Sequence, residues 1–198
     1  MARISDFKAM LRNGGARPNQ FRVELHFPQF VQLGVVAGAE AQFLCKAASL
    51  PAVTLENIQV HYRGRPVNFA GERTYQPWGI TVYNDTTFNI RNQLEVWSNG
   101  IQHFEDTEGI VNPRDYQVDL RVHQLGRNGE TLKTYKFVDA YPVAIGQIQL
   151  DYESNNAIEM FDVEFQYNYY TSNTSSGGDG FGVNGSVDTP IGTVELPI

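Results

Sequence analysis

The most regular pattern in this chain is the alternation of apolar and polar residues over positions 158–169. One face carries Phe161, Val163, Phe165, Tyr167 and Tyr169, and the other carries Asp162, Glu164, Gln166 and Asn168. A period of two residues is typical of a β-strand with one buried face. The pattern therefore predicts one long strand whose second face is acidic and meets water.

Shorter alternating or apolar runs predict further strands. These runs cover residues 21–27, 42–47, 58–62, 67–69, 78–83, 116–122, 131–138 and 146–151. Glycine-containing turns at residues 63–66 and 126–129 are expected to close antiparallel hairpins. The dipeptide at positions 141–142, Tyr-Pro, is expected to break the chain before the next strand.

Two segments follow helical spacing instead. The larger one predicts a helix over residues 87–100, and a smaller one predicts a short helix in an arm formed by residues 1–15. The fold is therefore predicted to be mainly β, an antiparallel barrel or sandwich with one flanking helix, over residues 1–170. Residues 171–198 are rich in Gly and Ser and are predicted to form an extension, with 193–196 as a possible added strand.

Composition excludes several classes of function. The 198 residues carry a formal charge of −7, which argues against a surface that grips phosphate backbones through Lys and Arg. Cys45 is the only cysteine, so no disulfide forms within the chain, and it is expected to be a small core residue. No apolar run reaches the roughly 18 residues of a membrane span, so we expect no membrane partner.

The sequence contains no motif that indicates catalysis, a metal site or a cofactor site. His26, His61, His103 and His123 lie in separate elements, and none has metal-ligand spacing. Asp162 and Glu164 lie about 6.5 to 7 Å apart on one strand face, which resembles a paired-carboxylate site. A solvated strand face is the favoured interpretation, and the protein is predicted not to be an enzyme.

Three tyrosines near the end of the long strand suggest a competing class of function. Tyr167, Tyr169 and Tyr170 could stack on sugar rings, as in a carbohydrate-binding β-sandwich. Core packing is favoured, because Tyr167 and Tyr169 continue the apolar face of the strand.

Several phrases, in order, resemble the tail tube proteins of contractile-tailed, T4-like bacteriophages. They are ARPNQFRVEL at 16–25, FLCKAASLPA at 43–52, FAGERTYQPWGITVYND at 69–85 and YPVAIGQIQLDYESNNAIEMFDVEFQYNY at 141–169. Related tubes occur in contractile injection systems. Residues 29–40 and 171–198 lie outside the matched phrases, look like additions, and are expected on the outer wall or at contacts between rings.

The resemblance implies hexameric rings that stack into a hollow tube inside a contractile sheath. A sheet from each subunit would join its neighbours, so that the strands close into one wide barrel around the lumen. The implied partners are further copies, the tail sheath, baseplate and tail terminator proteins, and double-stranded DNA in transit. The implied location is the virion tail tube, assembled in the host cytoplasm. A baseplate-proximal tube initiator and the tube of a phage-derived injection device remain open.

Parity along the long strand then predicts which residues face the lumen. These are Asp162, Glu164, Gln166 and Asn168, with Asp119 as a weaker candidate. Their repeated carboxylates would repel DNA rather than bind it. Exposed apolar residues are expected to dock neighbouring subunits: Ile4, Phe7, Met10 and Leu11 of the N-terminal arm, and Ile58, Val60, Tyr62, Val67 and Phe69 of the predicted hairpin.

Overall fold

The computed structural model describes residues 3–11, 15–106, 108–173, 187–189 and 192–194, the last two segments as backbone only. The helices are α1 (Ile4–Met10), α2 (Gly34–Leu44), α3 (Asn89–Ile101) and α4 (Pro113–Tyr116). The strands are β1 (Phe21–Glu24), β2 (Cys45–Ala48), β3 (Val53–Tyr62), β4 (Arg65–Tyr75), β5 (Trp78–Tyr83), β6 (Val118–Leu125), β7 (Thr131–Ile145), β8 (Met160–Gln166), β9 (Tyr169–Ser172), β10 (Val187–Thr189) and β11 (Gly192–Val194). The predicted mainly β, antiparallel fold is confirmed.

One seven-stranded antiparallel sheet forms the body, in the order β1-β6-β7-β8-β5-β2, with β9 also paired to β7. The 15-residue strand β7 takes part in two halves of this sheet. Its first part pairs with β6 and β9, and residues 141–145 pair with β8. We call β1, β6, β9 and the start of β7 the β6 half-sheet, and the end of β7 with β8, β5 and β2 the β8 half-sheet.

The two half-sheets curl over a single core. The ring of Trp78 in β5 stacks on Phe137 in β7 with centroids 4.4 Å apart, although β8 lies between those strands in the sheet. In a flat sheet, strands two places apart are separated by about 9.5 Å. The stack therefore requires strong curvature, and Phe165 of β8 joins the same cluster at 5.7 Å from Trp78.

Two helices close this core, one more than the sequence predicted. The predicted helix over 87–100 is observed as α3, which buries Ile90, Leu94 and Trp97, and the Trp97 indole N–H donates to the Tyr116 carbonyl at 2.8 Å. Helix α2 was missed, and the strand predicted over 42–47 is wrong in its first half. Residues 42–44 end the helix, and β2 begins only at Cys45.

The reason for this error is the type of residue that α2 buries. Its buried stripe consists of Gly34, Ala37, Gly38 and Ala41, which have the helical spacing but almost no apolar side chain. A Cβ on Gly38 would lie 2.4 Å from the Leu25 carbonyl oxygen, so the glycine lets the helix approach the backbone directly. Residues 34–40 are thus packed against the body of the subunit.

Three other predictions fail where the chain passes between the half-sheets. Strand β7 continues through Pro142, because a bulge between Pro142 and Ala144 interrupts the ladder there. Residues 146–159 form a loop rather than a strand over 146–151. The predicted strand over 158–169 is observed as β8 and β9, with a bend at Asn168, and Tyr169 is 46% exposed rather than on the buried face.

The predicted hairpin at residues 63–66 is observed, and it is longer than expected. Among the strands that the structure describes, β3 and β4 pair only with each other. Arg63 and Gly64 both have positive φ, at 49° and 81°, as a two-residue type I′ turn requires. At its base, Tyr75 packs 5.8 Å from the rings of both Tyr167 and Tyr170.

The stacked rings make a first prediction about stability. Trp78→Ala should lower the free energy of unfolding by about 3 to 5 kcal/mol, because it empties the centre of the core. Trp78→Phe should cost about 1 to 2 kcal/mol, because the ring is kept but the Ser49 carbonyl loses its 2.8 Å indole donor. Urea unfolding followed by circular dichroism measures both.

The control is Tyr152→Ala, since Tyr152 is fully exposed and its removal should shift the midpoint little. Equal destabilisation by the two Trp78 variants would show that the ring stack contributes nothing beyond the hydrogen bond.

Candidate lumen face and assembly surfaces

Strand β8 alternates in burial as its sequence predicts. Phe161, Val163 and Phe165 are buried, whereas Asp162 and Glu164 are exposed and Gln166 is half-buried. The alternation arises because the inward residues reach the Trp78 cluster while the outward ones leave the sheet on its other side. Both carboxylates therefore lie on the outer face of the β8 half-sheet.

The neighbours of these carboxylates are small. Asp162 lies opposite Thr81, whose hydroxyl donates to its Oδ1 at 2.6 Å, and Glu164 lies between Gly79 of β5 and Ala144 of β7. Neither carboxylate forms a salt bridge within the described ranges. The face consequently keeps its negative charge in contact with water.

Lys46 lies in the bulge of β2, at one edge of the β8 half-sheet. Its ammonium group lies 3.0 Å from the Met160 sulfur and 5.9 Å from the centre of the Tyr83 ring. These contacts carry the ammonium group across β5 to the Met160 end of β8, where it forms no salt bridge with any described carboxylate.

Two predicted lumen residues lie away from Asp162 and Glu164. Asn168 is at the bend between β8 and β9, where its side chain donates to Asp139 Oδ2 at 2.9 Å. Asp119 lies in β6, and its Oδ2 is 2.6 Å from the Lys136 ammonium group. Asp119 therefore belongs to the β6 half-sheet and already has a cation as partner.

The geometry offers little to the alternative functions. Of the described residues, no three His, Cys, Asp or Glu side chains cluster as metal ligands. Tyr167 is 2% exposed and packs 4.9 Å from Phe137, so the three tyrosines form no open platform for a sugar. Burial, followed by the charges of Tyr170 and Tyr75, raises the pKa of Tyr167 to about 12.

The hairpin of β3 and β4 has one apolar and one polar face. Cross-strand pairing places Ile58 opposite Phe69 and Val60 opposite Val67, and Tyr62 opposite Arg65. The five apolar residues predicted to dock, Ile58, Val60, Tyr62, Val67 and Phe69, are all 42–64% exposed. The pair Gln59 and Asn68 lies on the other face. The hairpin thus presents an apolar surface that its own subunit leaves in water.

Helix α1 also exposes its apolar residues. Ile4, Phe7, Met10 and Leu11 are 44–81% exposed, and α1 has no buried residue. Sequence reasoning missed two further apolar surfaces. Val35 and Phe43 project from α2 with 87% exposure each, and Leu150 and Tyr152 project from the loop after β7. The loop residues were misread because Ile148, Leu150 and Tyr152 alternate with polar residues; the turn-forming Ser154 and Asn155 nearby were the opposing signal.

No helix in the described part of the chain is both long and apolar enough to cross a bilayer.

Comparison with known proteins shows which family the chain resembles in sequence. The sequence model of the phage tail tube protein family matches residues 16–173. The tail tube protein gp19 of Enterobacteria phage T4 is 34% identical over 158 residues, covering 78% of this chain and 90% of that protein. The tail tube protein of Serratia phage KSP90 is 29% identical over 172 residues, covering 84% and 95%.

Solved structures agree at the level of the fold. A chain of the PVC sheath–tube complex, from an extracellular contractile injection system in its extended state, superposes with a TM-score of 0.53 at 14% identity, over 87% of this chain and 98% of that one. A chain from the structure of the anti-feeding prophage tube-terminating cap gives 0.52 at 17% identity, over 79% and 89%. From the extent of the family match and the identity to the phage T4 protein, the chain belongs to the phage tail tube protein family.

Proposed function

We propose that this chain is the repeating structural subunit of a contractile phage tail tube, in which hexameric rings stack around a lumen lined by the outer face of the β8 half-sheet. The observation that carries the proposal is the pair of exposed carboxylates, Asp162 and Glu164, which have no salt-bridge partner in the described residues and lie on a face of small side chains. The role is structural and involves no catalysis, metal or cofactor.

The edges of the β8 half-sheet support ring closure. Strand β2 pairs with β5 and with no other described strand, so one of its sides is an edge of the sheet. At the opposite edge, residues 141–145 of β7 pair with β8, whereas the pairing of β6 ends at Ala140. Open edges of a sheet bind further strands readily. Joining the β2 edge of one subunit to the β7 edge of the next continues the sheet around the ring and leaves no free edge.

Electrostatics explain why such a lining suits the passage of DNA. A basic wall would displace counterions and hold the genome through many phosphate contacts. An acidic wall leaves the DNA in its own layer of water and ions, and its repulsion acts over a Debye length of about 8 Å at physiological salt. Repetition of Asp162 and Glu164 in every subunit therefore keeps the genome from adhering.

The partners of this tube are further copies of the chain, the tail sheath, the baseplate and the tail terminator, and the protein resides in the virion after assembly in the host cytoplasm. The support is the family and the 34% identity to the phage T4 protein. Similarity to injection-device tubes extends only to the fold, so the phage tail is the proposed setting.

Charge reversal on the lumen face tests the electrostatic role. Asp162→Lys with Glu164→Lys should still form tubes, because the backbone edges are unchanged, but virions that carry it should release DNA slowly or stall. The neutral pair Asp162→Asn with Glu164→Gln should lie between. A dye that fluoresces on released DNA measures the rate, and added salt should relieve the delay.

The control reverses two carboxylates of the loop after α3, Glu105→Lys with Glu108→Lys, which should leave the release rate unchanged. Release at the normal rate from the Asp162 and Glu164 reversal would remove the electrostatic argument.

A second prediction concerns the apolar face of the hairpin. Val60→Glu with Val67→Glu should abolish tubes at concentrations where the wild-type chain forms them, because burying unpaired charges at a contact costs several kcal/mol. Gln59→Glu with Asn68→Glu adds the same charge to the polar face of the same hairpin and should still give tubes. Negative-stain imaging and sedimentation distinguish the outcomes.

If the two hairpin variants assemble equally, the apolar face of the hairpin is not a contact surface between subunits. If the wild-type chain itself remains a monomer under all assembly conditions, the proposed function is wrong.

A further inference from the structure

Helix α2 has an apolar stripe on the side away from its buried residues. Val35, Ala39 and Phe43 are exposed and are spaced four residues apart, so they lie along one ridge of the helix. Glu40, the only charged residue of α2, accepts a hydrogen bond from the Asn89 side chain at 2.8 Å and lies off this ridge. A helix that is apolar all round is typically buried all round. The stripe is therefore expected to be covered when copies of the chain assemble.

A second exposed apolar surface lies in the connection between β7 and β8. The loop of residues 147–158 and the adjoining end of the β8 half-sheet enclose an open groove of about 840 Å³. Its lining includes Leu150, Tyr152, Ile158 and Met160, which are 39–107% exposed in the single chain. A surface of this kind, open to water and apolar, is typical of an interaction site.

Strand directions decide how these two surfaces meet around a ring. Strand β2 is antiparallel to β5, β5 to β8, and β8 to the end of β7. The two edges of the β8 half-sheet therefore run in opposite directions. When the β2 edge of one copy joins the β7 edge of the next, as in the proposed ring, the joint is antiparallel and the alternation of strand directions continues from copy to copy.

The same pairing places the start of β2 and the end of β7 at one end of the half-sheet. Cys45 lies opposite Val82 of β5, and the residue opposite Val82 in β8 is two positions from the residue opposite Ile145. Phe43 comes just before Cys45 in the chain, and Leu150 comes shortly after Ile145. Joining the two edges therefore brings Phe43 of one copy towards Leu150 of the next.

We propose that, within one ring, the exposed stripe of α2 docks on the loop after β7 of the neighbouring copy, with Phe43 against Leu150 and Tyr152. The inference rests on the proposed function, because the joined edges bring the two surfaces together. A second copy is the fitting occupant because Phe43 is only two residues from the edge strand, so a chain that pairs with β2 also reaches the stripe. Burial of apolar side chains then adds to the backbone hydrogen bonds of the joint.

Charged substitutions on the stripe test this docking. Val35→Glu with Phe43→Glu should prevent rings and tubes from forming, because the new charges would be buried without partners and would face Asp151 of the loop. Val35→Leu with Phe43→Leu keeps the stripe apolar and should assemble. The control, Phe104→Glu with Val111→Glu, changes the same residue types at exposed sites after α3 and should also assemble. Sedimentation and negative-stain imaging measure assembly, and circular dichroism establishes that each variant is folded.

Chemical cross-linking provides a readout that does not depend on added charge. Two chains, one with Phe43→Cys and one with Leu150→Cys, are mixed, assembled and treated with a short bismaleimide at neutral pH. Covalent dimers that contain one chain of each kind are expected. The native thiol should stay silent, because burial raises the pKa of Cys45 to about 11, against an ordinary 9.0. The control is Phe43→Cys mixed with Leu132→Cys, which places the second thiol at an exposed leucine near the start of β7.

Loss of rings in the glutamate variant, together with a cross-link specific to the pair of Phe43 and Leu150, supports the docking. Normal tubes from the glutamate variant overturn it and leave the tube function intact, and this includes tubes that fail only to bind the tail sheath. Cross-links equal to those of the control also overturn it. A wild-type chain that forms neither rings nor tubes overturns the proposed function instead.

Discussion

The contact between Trp78 and Phe137 is the constraint on which the rest of this structure depends. Bringing rings from strands two places apart to 4.4 Å curls the sheet, and the curl decides which face of each strand is inside. Phe165 anchors β8 in the same cluster, so the residues that alternate with it, Asp162 and Glu164 among them, lie on the opposite, exposed face of the strand. The acidic face of the β8 half-sheet and its open edges are consequences of how the core packs.

The charges of the two half-sheets are organised differently, although both contain carboxylates. On the β6 half-sheet, Glu24 lies 3.4 Å from Arg22, 3.8 Å from Arg121 and 3.1 Å from His123, and Asp119 is paired with Lys136. On the β8 half-sheet the carboxylates meet a threonine, glycine and alanine instead. Glu24 and Asp119 are thus paired with cations, whereas Asp162 and Glu164 form no salt bridge with the described residues. Under the proposed function, this asymmetry distinguishes the face toward the lumen from the rest of the surface.

Sequence reasoning succeeded where one periodicity extended over a whole element. Strand β5 and helix α3 were predicted within a residue or two, because large apolar side chains mark their buried positions. The hairpin turn at Arg63 and Gly64 was predicted from its turn-forming residues. It failed at α2, whose buried stripe is Gly and Ala, and at Tyr169, where alternation restarts because the chain leaves one half-sheet for the other. The Asn168 N–H then bonds to the Val138 carbonyl at 3.1 Å. Such changes of sheet depend on tertiary contacts that no local pattern records.

The face of Asp162 and Glu164 could be predicted, but the groove could not. Parity along one strand is enough to place two carboxylates on one side, whereas the groove joins a loop to the end of a sheet that is distant in sequence, as between Thr81 and Tyr152. Asp119 illustrates the same limit, because its place in the alternation of β6 gave no information about Lys136, whose ammonium group lies 2.6 Å from its Oδ2.

In the proposed tube, assembly has to overcome electrostatic repulsion between the carboxylates of neighbouring subunits. Copies of Asp162 and Glu164 brought together around a lumen repel one another, and water between them weakens that repulsion without removing it. The opposing free energy must come from surfaces that the single chain leaves exposed: the apolar faces of α1 and the hairpin, the loop residues Leu150 and Tyr152, and the unpaired strand edges. Burial of apolar surface contributes about 25 cal/mol per Å². Several such contacts together can therefore exceed the screened repulsion between exposed carboxylates. In the proposed tube, the acidic lining is tolerated because apolar burial and sheet pairing lie elsewhere on the subunit.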